Sequence, residues 1–458
     1  MTEEHPLARL CAEAIRDPDG FWRRVADEHV QWFHPPDRIF EHEPPTFRWF
    51  SGGRTNLCWS ALDRHVDAGR GDQPALIAAD ERGGRRTLTY AQLLSQVQRI
   101  AAAMRALGIG RGDRVTIYMP TCAEAVATML ATVRIGAIHS VVFGGFGHGA
   151  LGDRIRASGS RLVVAADVTY RKGAEVPLMA IVDAALADDP GAVEHVVVLR
   201  RADVPASLVG PRELDWDEFL SGGDGYDATH LEMEANEPAF ILATSGTTAT
   251  PKLAVHTHGG YQVHIAAMGR WVMGLRQGET WWSMSDIGWI VGHSYIVYAP
   301  LMAGCTTIAY EGALDHPGQD AVWAFIEELG VQGLFTSPTS VRLLMRYGNE
   351  PAQGHDLSSV ERIFCAGEVL NAPAWAWLQQ EVFGDRVPVI DHMWQTETGG
   401  PIFGNPYGLG LLPIKPGSAG LPLPGIEAAV VTPDGTEVEP GEKGIMVLRR
   451  PFPGLIAT

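Results

Sequence analysis

The sequence predicts an α/β protein with two layered α/β subdomains, each built on a largely parallel sheet, followed by a small β subdomain. From about residue 56 to residue 400, short Val- and Ile-rich runs alternate with longer helical patterns. This alternation is typical of parallel sheets covered by helices. After Gly400 the helical patterns stop, and short apolar runs separated by Pro and Gly indicate β hairpins with tight turns.

The elements are predicted in chain order. Residues 1–60 form an extension with a helix capped at Asp19 and docked by tryptophans. For the first α/β subdomain, residues 61–236, we expect helices over 88–107, 123–135, 150–158 and 180–187 and strands over 114–119, 139–143, 161–166 and 195–199. For the second, residues 237–400, we expect strands over 240–243, 307–310, 333–335, 362–365 and 387–390. The small β subdomain, residues 401–458, has predicted strands at 428–431 and 444–448.

Composition excludes several classes of function. The net charge of −18 leaves no broad positive field for nucleic acid or an anionic membrane, although it allows a local basic pocket. Five scattered cysteines without a C-x-x-C pair indicate neither a disulfide framework nor a zinc site, and they fit a reducing compartment. The N-terminus is polar, and no run is apolar enough to span a membrane. We expect a cytoplasmic protein whose partners are small molecules. Whether it forms a homo-oligomer is left open.

Polar motifs follow several predicted strands, and ligands bind at the carboxyl ends of strands in such sheets. After the strand at 240–243 comes T-S-G-T-T-A-T-P-K at residues 244–252. Small residues leave its backbone N–H groups free for an anion, and Lys252 adds a positive charge, although such a run taken alone is more often a surface loop. Three further motifs lie at residues 283–295, 365–370 and 391–400.

Together these motifs resemble the AMP-forming acyl-CoA synthetases (adenylate-forming enzymes), most closely the acetyl-CoA synthetases. Residues 244–253 are similar to the family loop T-S-G-[ST]-T-G-x-P-K-G, and W-Q-T-E-T-G-G at 394–400 matches a highly specific stretch. Residues 286–295 resemble the acyl-pocket segment. The resemblance runs from about Phe21 to the end, and it implies the fold of the family's large N-terminal domain.

The resemblance also implies a role for each matched residue. The ATP phosphates would be held by Thr244, Ser245, Gly246, Thr247, Thr248 and Lys252. The adenine and ribose would contact Gly367, Glu368, Val369, Asp391, His392 and Met393. Catalysis would depend on Thr247, Lys252, Gln395, Thr396 and Glu397, with Gln395 and Thr396 near the α-phosphate and Glu397 as the Mg²⁺ ligand. The acyl pocket would comprise Trp289, Ile290, Val291, Ala366 and Trp394, the last also bordering the nucleotide, and Arg171 would bind the 3′-phosphate end of coenzyme A.

The implied reaction uses ATP, Mg²⁺ and coenzyme A and needs no protein nucleophile. The large indole of Trp394 would limit the acid to about two or three carbons. Ala366 opens space and Ile290 removes some, so acetate is the default, with propionate or a functionalised small acid left open. Two alternatives also stay open: an adenylation module that serves a carrier protein, and a non-catalytic nucleotide-binding homologue.

The chain departs from the family pattern in two places. Ala249 and Leu253 replace glycines of the phosphate loop, and a Cβ at either site costs about a kcal/mol or more if the backbone is left-handed there. The family's C-terminal domain, with its adenylation lysine, lies beyond Thr458. We therefore expect this 458-residue chain to bind nucleotide but to turn over poorly or not at all.

Overall fold

The computed structural model describes residues 5–204, 207–208, 210–244 and 251–457. The strands, in chain order, are β1 (Arg38–Glu43), β2 (Thr46–Ser51), β3 (Arg54–Thr55), β4 (Pro74–Asp80), β5 (Arg85–Thr89), β6 (Arg114–Tyr118), β7 (Ile138–Val141), β8 (Leu162–Ala166), β9 (Val168–Arg171), β10 (Ala174–Pro177), β11 (His195–Leu199), β12 (Glu213–Asp215), β13 (Met233–Glu234), β14 (Pro238–Thr244), β15 (Lys252–Thr257), β16 (Thr280–Ser283), β17 (Thr306–Glu311), β18 (Gly333–Thr336), β19 (Arg362–Cys365), β20 (Val389–Asp391), β21 (Phe403–Gly404), β22 (Leu421–Pro422), β23 (Ala428–Val431) and β24 (Ile445–Leu448).

The α-helices are α1 (Pro6–Arg16), α2 (Pro18–His29), α3 (Leu57–Ala61), α4 (Asp63–His65), α5 (Tyr90–Ala106), α6 (Ala123–Arg134), α7 (His148–Ser158), α8 (Leu178–Asp188), α9 (Trp216–Gly222), α10 (His258–Trp271), α11 (Ile290–Gly292), α12 (Ala299–Ala303), α13 (Ala321–Leu329), α14 (Pro338–Met345), α15 (Glu350–Gln353) and α16 (Ala372–Ala376). Among the helices that the structure describes, none is long and apolar enough to cross a membrane.

Two seven-stranded sheets form the body of the molecule. The first sheet has the order β12-β11-β8-β6-β7-β14-β15, and only the β14–β15 pair is antiparallel. The second has the order β20-β19-β18-β16-β17-β4-β5, and only the β4–β5 pair is antiparallel. Two-stranded antiparallel sheets, including β23–β24, complete the fold. The predicted α/β class with largely parallel sheets is confirmed.

Each sheet takes strands from both predicted α/β segments. β4 and β5 precede every strand of the first sheet, yet they form the edge of the second sheet through the β17–β4 pairing. β14 and β15 follow the predicted boundary at residues 236 and 237, yet they extend the first sheet. A cut at that boundary would remove two strands from the first sheet. The domain limits therefore remain a prediction, and the strands of each sheet come from both sides of the predicted boundary.

Helix α6 lies between the two sheets, since it contacts β6 and β7 of the first and β4 of the second. Every residue of α6 except Glu124 is buried, and its many alanines allow this close approach to both sheets. A single hydrophobic cluster runs through this region and includes residues of both sheets and of α2. The relative position of the two sheets is therefore fixed by core packing.

Two helix starts differ from the prediction because capping groups place them elsewhere. Asp17, not Asp19, caps α2: its carboxylate accepts the Gly20 N–H at 3.0 Å, and Pro18 takes the first helical position, where its missing N–H costs nothing. The helix predicted from residue 88 starts at Tyr90 instead, because Thr89 forms a capping box with Gln92 and ends β5.

Candidate functional site

The carboxyl ends of the central strands of both sheets lie at one large cavity. The strand order reverses at β6 in the first sheet and at β16 in the second, because each of these strands has later strands on both of its sides. The residues that follow them, Pro120 and Thr121 in one sheet and residues 284–286 in the other, line a cavity of about 1030 Å³. Such reversal points are where open α/β sheets bind ligands.

Asp286 joins the two reversal points. Its carboxylate accepts the Thr121 hydroxyl at 3.2 Å and the Gly288 N–H at 2.7 Å. Burial raises the pKa of Asp286, and these two hydrogen bonds oppose that rise. Asp286 belongs to a predicted motif but not to the predicted site residues, since its partner Thr121 is distant in the sequence and only the fold brings the two together.

The two ends of the predicted phosphate loop, Thr244 and Lys252, lie in the paired strands β14 and β15. Thr244 ends β14, lines the cavity and is paired with Lys252, the first residue of β15. Lys252 is exposed and does not line the cavity. Leu253 lies in regular strand pairing with Ala243, so this departure from glycine carries no left-handed strain. The predicted residues Ser245, Gly246, Thr247 and Thr248, and with them Ala249, lie outside the described residues.

The predicted acyl-pocket residues all line the cavity: Trp289, Ile290, Val291, Ala366 and Trp394. We call the buried ones, Ile290, Ala366 and Trp394, the acyl end. The Trp394 ring packs edge-on against Tyr295 at 5.5 Å and Phe335 at 6.1 Å between ring centroids. Trp394 is only 8% exposed, whereas Trp289 is 46% exposed at the rim. The indole of Trp394 is therefore a fixed wall of the acyl end.

The segment after Trp394 lines the cavity with Gln395, Thr396 and Glu397. A one-turn helix over residues 396–398 shapes it, and the Gln395 N–H donates to the Thr398 hydroxyl at 2.9 Å. His256 of β15 fixes it from behind, because its Nε2 donates to the Thr396 carbonyl at 2.8 Å. Burial lowers the pKa of His256 to about 4. Strand β15, which follows the predicted phosphate loop, is thus tied to the segment that carries Glu397.

The other predicted nucleotide residues are Glu368, Val369, Asp391, His392 and Met393, and we call the exposed pair Glu368 and Val369 the adenine end. Of the predicted adenine and ribose residues, only the adjoining Gly367 lines the cavity. Val369 is 65% exposed. Arg342 Nη2 donates to Glu368 at 2.5 Å, and the Thr339 hydroxyl donates to its other oxygen.

Asp391 ends β20, His392 follows it, and both lie beneath the adenine end. Asp391 Oδ2 accepts the Leu370 N–H at 3.0 Å, which holds the 366–371 segment over β20. Its Oδ1 is buried without a partner among the described residues, and burial raises the pKa of this carboxyl. His392 Nδ1 donates to the Cys365 carbonyl. Burial lowers the pKa of His392 to about 4.

The sequence prediction missed a polar segment after β18. Thr336, Ser337, Thr339 and Ser340 line the cavity, and the Thr336 hydroxyl is buried without a partner in the described part of the chain. The signal was present, because the run T-S-P-T-S at residues 336–340 directly follows a predicted strand. It is the same arrangement that identified the other motifs.

Two consecutive cations lie at the rim of the cavity. Arg171 ends β9, is exposed and makes no ion pair with a described residue. Lys172 is held by Asp315, with Nζ 2.9 Å from Oδ2. Arg171 is therefore free to meet an anionic group that enters the cavity.

Glu397 is the predicted metal ligand, and its surroundings fit a hard divalent cation. Its carboxylate belongs to the cavity lining and pairs with no cation that the structure describes. Within the described residues no cluster of three or more His, Cys, Asp or Glu side chains could hold a metal on its own. Mg²⁺ commonly takes one or two protein carboxylates and completes its shell with water and substrate phosphate, so the single Glu397 fits Mg²⁺ bound together with a nucleotide.

The chain is similar to known proteins over nearly its whole length. Residues 62–455 match the family described as AMP-binding enzyme, and residues 7–61 match the acetyl-coenzyme A synthetase N-terminus. Three relatives are named acetyl-coenzyme A synthetase. That of Rhodopirellula baltica is 40% identical (100% of this chain, 68% of the relative), that of Pyrobaculum arsenaticum 43% (97% and 68%) and that of Rubrobacter xylanophilus 42% (97% and 69%). The chain belongs to the AMP-binding enzyme family, and over almost its whole length it is related to acetyl-coenzyme A synthetases.

Proposed function

We propose that the chain activates a short-chain carboxylic acid with ATP and passes the acyl group to coenzyme A. The products are acyl-CoA, AMP and pyrophosphate. The observation that carries the proposal is the single cavity in which a small acyl end, closed by Trp394, adjoins Thr244 and the segment 395–397. The relatives' name, acetyl-coenzyme A synthetase, supports the same class of reaction.

The first step joins two anions. A carboxylate oxygen of the acid attacks the α-phosphorus of ATP, the bond to the β-phosphate oxygen breaks, and pyrophosphate leaves. The site must offset the charge that builds up on the phosphates. Thr244, Lys252 and the residues between them would bind the phosphates, and Gln395 and Thr396 would orient the acid against the α-phosphate. Glu397 would hold Mg²⁺, which supplies further positive charge when bound.

In the second step the thiolate of coenzyme A attacks the acyl carbon, a C–S bond forms, and the bond to the AMP oxygen breaks. Arg171 would bind the 3′-phosphate end of coenzyme A at the rim. No cysteine of this chain is needed as a nucleophile. Cys305 and Cys365 are buried, and burial raises the pKa of both thiols, so neither supplies a reactive thiolate.

The acyl end favours two or three carbons. Trp394 fills the space that a longer chain would need, and its contacts with Tyr295 and Phe335 prevent it from moving aside. Ala366 is small and leaves room beside it, so propionate is expected as the second substrate. Acetate is the expected first substrate.

The test is pyrophosphate release with acetate, propionate, butyrate and 3-hydroxypropionate, each with and without coenzyme A. Binding of ATP with Mg²⁺ and of a non-hydrolysable acetyl-adenylate analogue is measured by calorimetry in parallel. We expect saturable binding of the analogue and slow pyrophosphate release from this 458-residue chain, with the largest release from acetate. Absence of both binding and release contradicts the proposal and favours a non-catalytic homologue. Release of pyrophosphate without transfer to coenzyme A favours an adenylation module with another acceptor.

A further inference from the structure

A second cavity lies where the C-terminal ends of α2, α10 and α12 meet. Its volume is about 280 Å³, and it shares no lining residue with the larger cavity. The lining takes Glu28 and His29 from α2, Ala266, Gly269 and Arg270 from α10, and Ala299, Met302 and Ala303 from α12. Arg64 of α4 and Arg276 complete the charged part of the lining. Neither the proposed reaction nor the family match assigns it a role.

The lining is rich in cations, unlike the chain as a whole. Three guanidinium groups, those of Arg64, Arg270 and Arg276, line this cavity together with one carboxylate, that of Glu28. The whole chain has 54 acidic and 36 basic residues. The lining therefore has an excess of positive charge, whereas the whole chain has a net negative charge.

Arg64 is the most buried of these three arginines, and its N–H groups are incompletely hydrogen-bonded. One of its Nη2 protons goes to the Met302 carbonyl, which is the ordinary role of a cation at a helix C-terminus. Its Nε is buried and has no partner among the described residues. Burial lowers the pKa of Arg64 to about 10, and the neighbouring Arg70 acts in the same direction. A guanidinium has five N–H donors, so one carbonyl does not satisfy it.

Arg270 is the outer cation. It is exposed and makes no hydrogen bond or ion pair with any residue that the structure describes. By contrast, Arg276 is held by Glu361 and by Glu279, with its Nε 3.4 Å from Glu279 Oε2. Arg64 and Arg270 are thus the cations whose charge is left for a ligand.

The carboxylate at the rim does not cancel that charge. Glu28 accepts from Arg24 at 3.4 Å, and its other oxygen is 4.0 Å from His29 Nε2. The His29 Nε2 is itself buried without a partner in the described residues. Burial lowers the pKa of His29, and Arg270 and Arg64 add to the effect against the opposing charge of Glu28.

We propose that this cavity binds a small oxyanion of the phosphate type between Arg64 and Arg270. Two guanidinium forks match the oxygen geometry of phosphate and would gain charge-assisted hydrogen bonds. The volume lies just under the roughly 300–1,000 Å³ of sites for drug-sized ligands, which favours orthophosphate or a small phosphate ester over a nucleotide. A bound anion would link α2 of the N-terminal extension to α10 and α12, and so it would stabilise the folded chain.

The test measures phosphate binding by calorimetry and by the thermal unfolding midpoint, at an ionic strength kept constant with sodium chloride. We expect saturable binding and a midpoint that rises with phosphate. Arg270→Gln is expected to weaken binding about tenfold or more, because it removes a charged donor from an exposed residue without disturbing the core. The matched control is Arg99→Gln, which alters an exposed arginine of α5 outside this cavity and is expected to change nothing.

A second variant keeps the test independent of Arg270. Ala303→Glu adds a carboxylate to the lining, which should pair with Arg64 and abolish phosphate binding, while circular dichroism reports whether the fold is kept. The affinity for glycerol 3-phosphate is compared with that for orthophosphate. The tighter of the two shows whether the site prefers a phosphate ester or free orthophosphate. The proposal fails if phosphate shows no saturable binding, because the cavity would then hold only water. It also fails if Arg270→Gln and Ala303→Glu both leave the affinity unchanged, because phosphate then binds elsewhere.

Discussion

The acyl end of the large cavity and the adenine end beside it are built differently. At the acyl end, Ile290, Ala366 and Trp394 are at most 8% exposed and belong to the hydrophobic core. At the adenine end, Val369 is 65% exposed, and the Glu368 side chain, 42% exposed, is held by its contacts with Arg342 and Thr339. The acyl end therefore has its shape before any ligand arrives, whereas the adenine end presents surface that a ligand must cover.

This difference predicts where selectivity and adaptability lie. A pocket walled by packed aromatic rings rejects a ligand that is one or two methylenes too long, since interiors do not expand without cost. A surface of exposed loop residues gains its contacts only on binding, and it tolerates substitution. We expect changes at the acyl end to alter both stability and acid preference, and changes at the adenine end to alter nucleotide affinity alone.

The largest expected effect comes from Trp394→Ala. Loss of the buried indole should lower the free energy of unfolding by about 3–5 kcal/mol. The space it leaves should admit butyrate, whose two extra methylenes would gain about 1.6 kcal/mol, or roughly fifteenfold in affinity. Urea unfolding measures the first effect. Binding of adenylate analogues with two, four and six carbons measures the second.

The control for that prediction is Trp289→Ala, at the rim of the same cavity. Trp289 is 46% exposed and packs against Phe143 at 5.6 Å, so its loss should cost far less stability and leave the chain-length order unchanged. Equal effects of the two substitutions would mean that the acyl end is not preformed.

A cluster of buried histidines around Phe240, in contact with the 395–397 segment, should make the fold sensitive to acid. The rings of His139, His256 and His293 surround Phe240 at centroid distances of 5.4, 4.9 and 4.7 Å. Burial lowers the pKa of His256 to about 4 and that of His293 to about 3. These histidines stay neutral in the folded chain at a pH where the unfolded chain binds protons.

The sign of the effect follows from that difference. An unfolded histidine takes up a proton below about pH 6.5, whereas folded His256 does so only near pH 4, so stability is full above pH 6.5 and is lost as the pH falls towards 4. The loss for His256 amounts to at most roughly 3 kcal/mol. Urea unfolding between pH 7 and 4.5 measures it. His256→Gln should reduce the slope, and exposed His42→Gln should not; an unchanged slope in His256→Gln would contradict the assignment.

Much of the fold was predictable because its strands are short apolar runs with clear ends. β6, β8 and β11 lie within or next to the predicted ranges, since fully buried parallel strands are apolar on both faces. β4 and β15 were not predicted. β4 joins a strand more than two hundred residues away, with Leu76 opposite Thr307, and sequence periodicity does not report such a pairing.

The site was predictable to the extent that its residues follow strands. The motifs after β19 and β20 supplied Ala366 and Trp394, which the structure places on one cavity. The Thr121–Asp286 contact was not predictable, because neither residue has a local signal for the other across 165 positions. Burial was also not predictable from the sequence: Glu368 and Trp394 both belong to motifs that follow predicted strands, yet the structure places Glu368 at the solvent and Trp394 in the core.

The smallest expected effect is that of Glu368→Gln at the adenine end. The Thr339 hydroxyl and the Arg342 guanidinium hold the pKa of Glu368 below its usual range. Ion pairs this exposed contribute about 0–1 kcal/mol, so the free energy of unfolding should change by less than about 1 kcal/mol. Affinity for AMP should still fall a few-fold, because the 366–371 segment loses a contact that holds it beside the cavity.

A matched control separates this effect from a general loss of surface charge. Glu437 pairs with Arg449, and their side chains are 64% and 48% exposed, outside the lining of the large cavity. Glu437→Gln should change stability as little as Glu368→Gln does, and it should leave AMP affinity intact. If Glu368→Gln instead destabilises the chain by several kcal/mol, the adenine end is as rigidly packed as the acyl end. The distinction between a preformed pocket and a ligand-covered surface would then be wrong.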